Sequence, residues 1–122
     1  MNVLDPTQTE VWSDLEKLRK VLAPRPLRSL FEEDPNRFHT YSWTAAGLTF
    51  DFSKQHIDEE VFAKLLDLAL AMDVEGRREA MVAGEIVNST EQRAALHVAL
   101  RNDSNRPFKV NNEDVTPVIA DV

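Results

Sequence analysis

A mostly α-helical chain carrying one short β-hairpin is what this sequence predicts, and three observations carry that reading. Apolar residues recur at helical spacing in Val11, Leu15, Leu18 and Leu22, and again in Val61, Leu65, Leu68 and Met72. Strict alternation is confined to Leu48–Phe52, where Leu48, Phe50 and Phe52 are separated by Thr49 and Asp51. Turn and capping residues fall between these stretches and divide them. At 122 residues, with 43% hydrophobic and 29% charged side chains, the chain has the size and composition of one globular domain covering residues 1–122.

Thr7 followed by Glu10 has capping-box spacing, so the first helix is expected to start there and to run along the Val11–Leu22 stripe. Pro24 and Pro26 stop it by removing the amide donors a helix needs. The second proline opens a short helix, Leu27 to Glu33, with Leu27, Leu30 and Phe31 on one side. Asp34-Pro35-Asn36 is turn chemistry, and an extended region is expected after it. Tyr41–Thr44 and Leu48–Phe52 then read as the two strands of a hairpin around Ala45-Ala46-Gly47.

Asp58 is placed to cap the next helix, with Glu59 and Glu60 in the first turn, where the helix dipole favours anions. Phe62, Leu66, Ala69 and Leu70 widen its stripe until Glu60, Lys64 and Asp67 mark a narrow wet side, so the Val61–Met72 helix is expected to be buried on most of its circumference. Val74–Val82 is a further short helix ending near Gly84. Asn88-Ser89-Thr90 is expected to restart a helix through the alanine-rich run Glu91–Leu100. Pro107 follows its end, Phe108–Val110 reads as extended, and Asn111-Asn112 is a turn. Thr116-Pro117 opens another helix with threonine as cap, but only five residues follow, too few to form a helix unaided in water. The expectation is that this element continues in a missing segment or meets a partner.

Without cysteine the chain has no disulfide or thiolate metal site, which suits a reducing compartment, and the cytoplasm is the expected location. The first ten residues lack a signal-peptide core, and no apolar run reaches the ~20 residues that span a bilayer, so no membrane partner is expected. A net charge of −7 with scattered basic residues disfavours nucleic acid.

Candidate chemistry is sparse. Gly47, Gly76 and Gly84 are too far apart to form a phosphate-cradling loop. His39, His56 and His97 lie in different elements, so a zinc site would require the fold to bring them to a carboxylate. The clusters Glu32-Glu33-Asp34 and Asp58-Glu59-Glu60 contain carboxylates suited to acid/base work, but a turn and a helix start account for them electrostatically. Arg93, His97 and Arg101 are four residues apart and on the expected helix would form a basic stripe for a phosphate or carboxylate. Pairing with acids that orient the helix is the favoured role for that stripe. No residue is assigned as catalytic, cofactor-binding or metal-ligating.

The run Gly84-Glu85-Ile86-Val87-Asn88-Ser89-Thr90-Glu91-Gln92-Arg93-Ala94-Ala95-Leu96-His97, continuing through Arg101-Asn102, closely resembles a stretch of the glucose-6-phosphate isomerase family. Leu30-Phe31, Asp34-Pro35, Arg37-Phe38, Asp51-Phe52-Ser53-Lys54, the Leu65–Ala69 region, Arg77, Ala80-Met81, Ser104–Pro107 and Glu113–Pro117 match the same family in order. Ile86 stands where many members have lysine, and Asn111-Asn112-Glu113 replaces a more usual Asp-Gly-Lys turn.

The resemblance implies the N-terminal, mostly helical region of an aldose-ketose isomerase that interconverts glucose 6-phosphate and fructose 6-phosphate. In the full-length family this region packs on two α/β sugar-isomerase domains, and the enzyme is a homodimer that needs no cofactor. A glutamate base moves a proton between C1 and C2 through an enediol. The family's functional residues lie beyond this chain, so the isolated chain is expected to be inactive and sugar phosphate to be a ligand of the full-length enzyme only. Two other readings are a standalone helical interaction module without catalysis and, last, a small enzyme using Arg93 and His97.

Overall fold

The computed structural model describes residues 5–104 and 106–120. These fall into two compact units, one comprising Asp5–Ala71 and the other the described residues from Met72 onward. Helix predominates in the first unit, and each unit contains one small antiparallel hairpin.

The first unit opens with a 3-10 turn, Pro6–Gln8, started by Asp5, whose carboxylate accepts the Thr7 amide at 2.9 Å. Thr9 then caps α1 (Glu10–Leu22), its hydroxyl accepting from the Trp12 amide at 3.2 Å. The expected Thr7/Glu10 capping box is therefore not formed. Thr7 lies inside the proline-started turn and donates its hydroxyl to Asp5, whereas Thr9 has the extended backbone an N-cap requires. α2 (Leu27–Glu33) begins after Pro26 as its proline predicts.

Between the Asp34-Pro35-Asn36 turn and the expected extended region lies a single helical turn, α3 (Arg37–Thr40). The carbonyl of Asn36 accepts the amides of His39 and Thr40 at 2.9 and 3.1 Å, so the turn winds on instead of straightening. β1 (Ser42–Ala45) and β2 (Leu48–Asp51) pair antiparallel, with Ser42 opposite Asp51 and Ala45 opposite Leu48. Ala46 and Gly47, at φ 51° and 74°, form the two-residue turn whose twist suits a hairpin.

α4 (Glu59–Ala71) is capped as expected: the Asp58 carboxylate accepts the Val61 amide at 2.9 Å. Asp58→Ala should lower stability by about 1 kcal/mol, the usual cost of a lost cap, read from a urea midpoint; an unchanged midpoint would remove Asp58 from the account of this helix. α4 packs beside α1, and Leu22, Leu30, Tyr41, Ile57 and Val61 form the core of the unit, with Leu15, Leu18, Leu27 and Phe62 against it. Burial of α4 on most of its circumference is not observed. Val61 is the buried residue of the helix, while Leu65, Leu66 and Leu70 are 42%, 52% and 74% exposed, because within this unit the helix is covered on the side toward α1 and the core. The apolar side chains Leu48, Phe50 and Phe52 of the hairpin are likewise exposed.

In the second unit Asp73 accepts from the Gly76 amide and starts α5 (Val74–Val82). Gly84 ends it as expected: at φ +77° its amide bonds to Met81 O, and the next amide, of Glu85, bonds to Ala80 O. The helix expected over Glu91–Leu100 does not form. Asn88 and Arg93 exchange main-chain hydrogen bonds at 3.1 and 3.2 Å, and the Asn88 side-chain oxygen takes the amides of Thr90 and Glu91. The Arg93 amide thereby bonds five residues back to Asn88 instead of four back to Ser89, and the chain closes into a loop that the alanine propensity does not override. Only the 3-10 turn Ala99–Arg101 follows.

β3 (Lys109–Val110) and β4 (Glu113–Asp114) pair around Asn111-Asn112, whose φ values of 49° and 66° are tolerated by asparagine. In α6 (Thr116–Ala120) threonine is not the cap that was expected. Its hydroxyl accepts the Phe108 amide at 2.8 Å, and the Asp114 carboxylate takes the Thr116 amide at 2.9 Å. Among the described residues no helix is long and apolar enough to cross a membrane.

Candidate functional site

The most organised polar centre lies in the first unit and is built on Arg37, which is 2% exposed. Its position follows from α3: one helical turn after the Asp34-Pro35 corner directs the side chain inward. Nε donates to the main-chain oxygen of Ser53 at 2.7 Å, and Nη2 to those of Gln55 and Ile57 at 2.8 and 2.7 Å. The guanidinium lies 4.7 Å from the ring centroid of Tyr41 and 5.6 Å from that of Phe31. A buried arginine with acceptors along its planar fork is a structural clamp. It ties the segment that follows the hairpin to α3.

Beside this clamp is a cavity of about 570 Å³. Arg25, Glu33, Asp34, Arg37, Asp58 and Glu59 contribute its charged wall, and Tyr41 and Phe62 an aromatic one. The two rings meet edge to face with centroids 6.1 Å apart. Arg25 forms an ion pair with Glu33. Burial holds the Tyr41 hydroxyl above its ordinary pKa; Arg37 opposes that shift, and the nearby charges of Asp58, Asp34 and Glu59 add to it. The phenol, neutral at physiological pH in any case, is held more firmly in that state. Members of the two acidic clusters that the sequence places in a turn and at a helix start thus face one cavity.

The other candidates do not converge. Arg93, His97 and Arg101 share no helix face, since the helix that would have aligned them is absent. Arg93 and His97 are exposed, and Arg101 Nη1 donates to the main-chain oxygen of His97 at 3.1 Å. His39 packs on Phe38, and His56 Nε2 lies 3.0 Å from the Arg25 oxygen. Among the described residues no three His, Asp or Glu side chains group closely enough to hold a metal. A second cavity, about 450 Å³, lies against α5 in the second unit with Arg77, Arg78, Ser89 and Gln92 in its wall. There Arg77 Nε donates to Met72 O and Arg78 pairs with Glu75, so both guanidiniums have internal partners.

Arg37 is the residue that pattern reading alone overlooks, because an arginine after a turn looks like surface. Its one signal in the sequence is the Asp34-Pro35 and Arg37-Phe38 match to the resembled family.

A family profile described as Phosphoglucose isomerase matches residues 51–122. Curated proteins called glucose-6-phosphate isomerase align over 93% of this chain: the protein of Methylococcus capsulatus is 43% identical over 113 residues, that of Brucella anthropi 44% over 117, and that of Brucella canis 45% over 117. The chain covers 21% of each, so it spans about a fifth of the length of the curated relatives it matches.

Proposed function

The chain belongs to the phosphoglucose isomerase family, and on that premise we propose that it is the N-terminal structural segment of a glucose-6-phosphate isomerase. The observation that carries this is the 43–45% identity over 93% of the chain to proteins of which it covers 21%. The parent reaction, in this reading, moves a proton between C1 and C2 of glucose 6-phosphate and fructose 6-phosphate through an enediol. Such a transfer needs a carboxylate base aligned with the sugar's open-chain carbonyl and basic groups for the developing oxyanion. The present segment supplies scaffold to that site and no catalytic group. Its arginines 37 and 25 are engaged with the fold itself, which supports a structural role.

In the complete enzyme the segment packs on two α/β sugar-isomerase domains of a cytoplasmic homodimer that needs no cofactor. The exposed Leu65, Leu66 and Leu70 on α4 and the exposed Leu48, Phe50 and Phe52 of the hairpin support such packing, since a stripe of this kind is more apolar than a free surface requires.

Two measurements test the proposal. In a coupled assay with fructose 6-phosphate, the purified chain of residues 1–122 is expected to give no turnover above a mock purification, because no group is positioned around the sugar. Turnover that co-purifies with the chain would overturn the scaffold role. Sequencing the DNA downstream of the Val122 codon should reveal an open frame encoding the α/β domains; a stop codon there would favour the standalone interaction module.

A further inference from the structure

Beyond the isomerase reading, we propose that the cavity beside Tyr41 is a binding site for a primary ammonium group. Four carboxylates, those of Glu33, Asp34, Asp58 and Glu59, stand in its wall against the two guanidiniums of Arg25 and Arg37. Both guanidiniums are already engaged. Arg25 donates to Glu33, and Arg37 directs its donors to the main-chain oxygens of Ser53, Gln55 and Ile57. The wall is left with an excess of two negative charges, which repels anions and attracts a cation.

Tyr41 makes the independent case for a ligand. Its side chain lines the cavity and the residue is only 5% exposed, yet its hydroxyl makes no hydrogen bond to any described residue. The oxygen is not among the fully occluded unpaired atoms, so it keeps some accessible surface, and the carboxylates of Asp58, Asp34 and Glu59 that act on it also line the cavity. A buried phenol ordinarily finds a partner for its hydroxyl. A phenol is neutral at physiological pH, burial only reinforces that state here, and its lone pairs are available to a donor.

The chemistry selects among cations. A bound metal would need grouped oxygen ligands, and among the described residues the carboxylates are not grouped closely enough to provide them. An ammonium group carries three diverging donors that suit one phenol oxygen and separated carboxylates. The Arg37 guanidinium already occupies a face of Tyr41 at 4.7 Å and Phe62 stacks on Trp43, so the two rings serve as an apolar wall, and about 570 Å³ leaves room for the alkyl stem. The group could be that of a free amine or of a lysine side chain.

The test is a titration of the 122-residue chain, followed through the ring signals of Tyr41 and Phe62 by NMR, with sodium chloride at matched ionic strength as reference. One arm uses propylammonium chloride and the other Nα-acetyl-lysine amide. Saturable shifts with either probe support the site: saturation by propylammonium alone identifies a free amine, and saturation by the lysine amide alone a protein side chain. Tyr41→Phe is expected to weaken binding at least fivefold, and the exposed Glu59→Gln about threefold, while Glu60→Gln, outside the wall, leaves it unchanged. No saturable shift with either probe, the same shift with sodium chloride, or full affinity in both Tyr41→Phe and Glu59→Gln would overturn the proposal.

Discussion

Arg37→Ala is expected to cost about 3–5 kcal/mol, a large share of the 5–15 kcal/mol that holds a typical small domain together. The substitution leaves the main-chain oxygens of Ser53 and Ile57, both in buried residues, without their donors. Stranding a buried acceptor costs roughly 1–3 kcal/mol each. The Gln55 oxygen belongs to an exposed residue and can turn to water, so it adds less. A void between Phe31 and Tyr41 accounts for the remainder. Trp12 and Trp43 both belong to the first unit, so urea unfolding followed by tryptophan fluorescence reports on it directly. Arg37→Lys should recover less than half the loss, because an ammonium is a compact point charge and cannot span three acceptors held by a planar fork. A loss below about 1 kcal/mol for the alanine variant would mean that the clamp does not hold the segment after the hairpin.

Gly84→Ala is the second large effect, at about 2–4 kcal/mol. Two causes combine. Glycine here has φ +77°, where an L side chain is strained by about 1–2 kcal/mol. An added Cβ would also run into the main-chain oxygen of Lys109 and come within 3.2 Å of Phe108 Cε1, and a backbone atom cannot move aside cheaply. Gly47 supplies the internal control. It has φ +74°, yet nothing lies within 4 Å of the position an added Cβ would take, so Gly47→Ala should incur only the conformational cost. Hydrogen exchange at the Glu85 amide, which bonds to Ala80 O, reports the first change locally. Equal losses in the two variants would show that the close approach of β3 to Gly84 contributes nothing.

The elements legible from sequence are those whose signals are local. Prolines bracket α1 and α2, Asp58 caps α4, Gly84 closes α5, and Asn111-Asn112 turns β3 into β4. Each rests on one residue's effect on its own backbone or on an amide a few positions away. The misreadings arise where two local signals compete. Thr7 and Thr9 both have cap chemistry, and Pro6 decides between them by taking Thr7 into a turn. Alanine propensity favours helix over residues 91–100, but the Asn88–Arg93 pairing turns the Arg93 amide back onto Asn88 and closes a loop there. The candidate site was legible in its parts and not in its assembly. Glu33, Asp34, Asp58 and Glu59 stand out as acidic runs in the sequence, whereas their convergence on Tyr41 depends on how α2, α3 and α4 pack.

From its sequence alone this chain is determined as a mostly helical member of the phosphoglucose isomerase family with a short hairpin, because periodicity, caps and the Gly84–Asn102 run are all properties of residues near one another in the chain. Only the tertiary structure decides that Arg37 is a buried clamp, that a neutral phenol faces an excess of carboxylates, and that Leu65, Leu66 and Leu70 of α4 stay exposed among the described residues. Burial and electrostatic environment are set by which distant segments come together, and no local pattern of residues encodes that meeting.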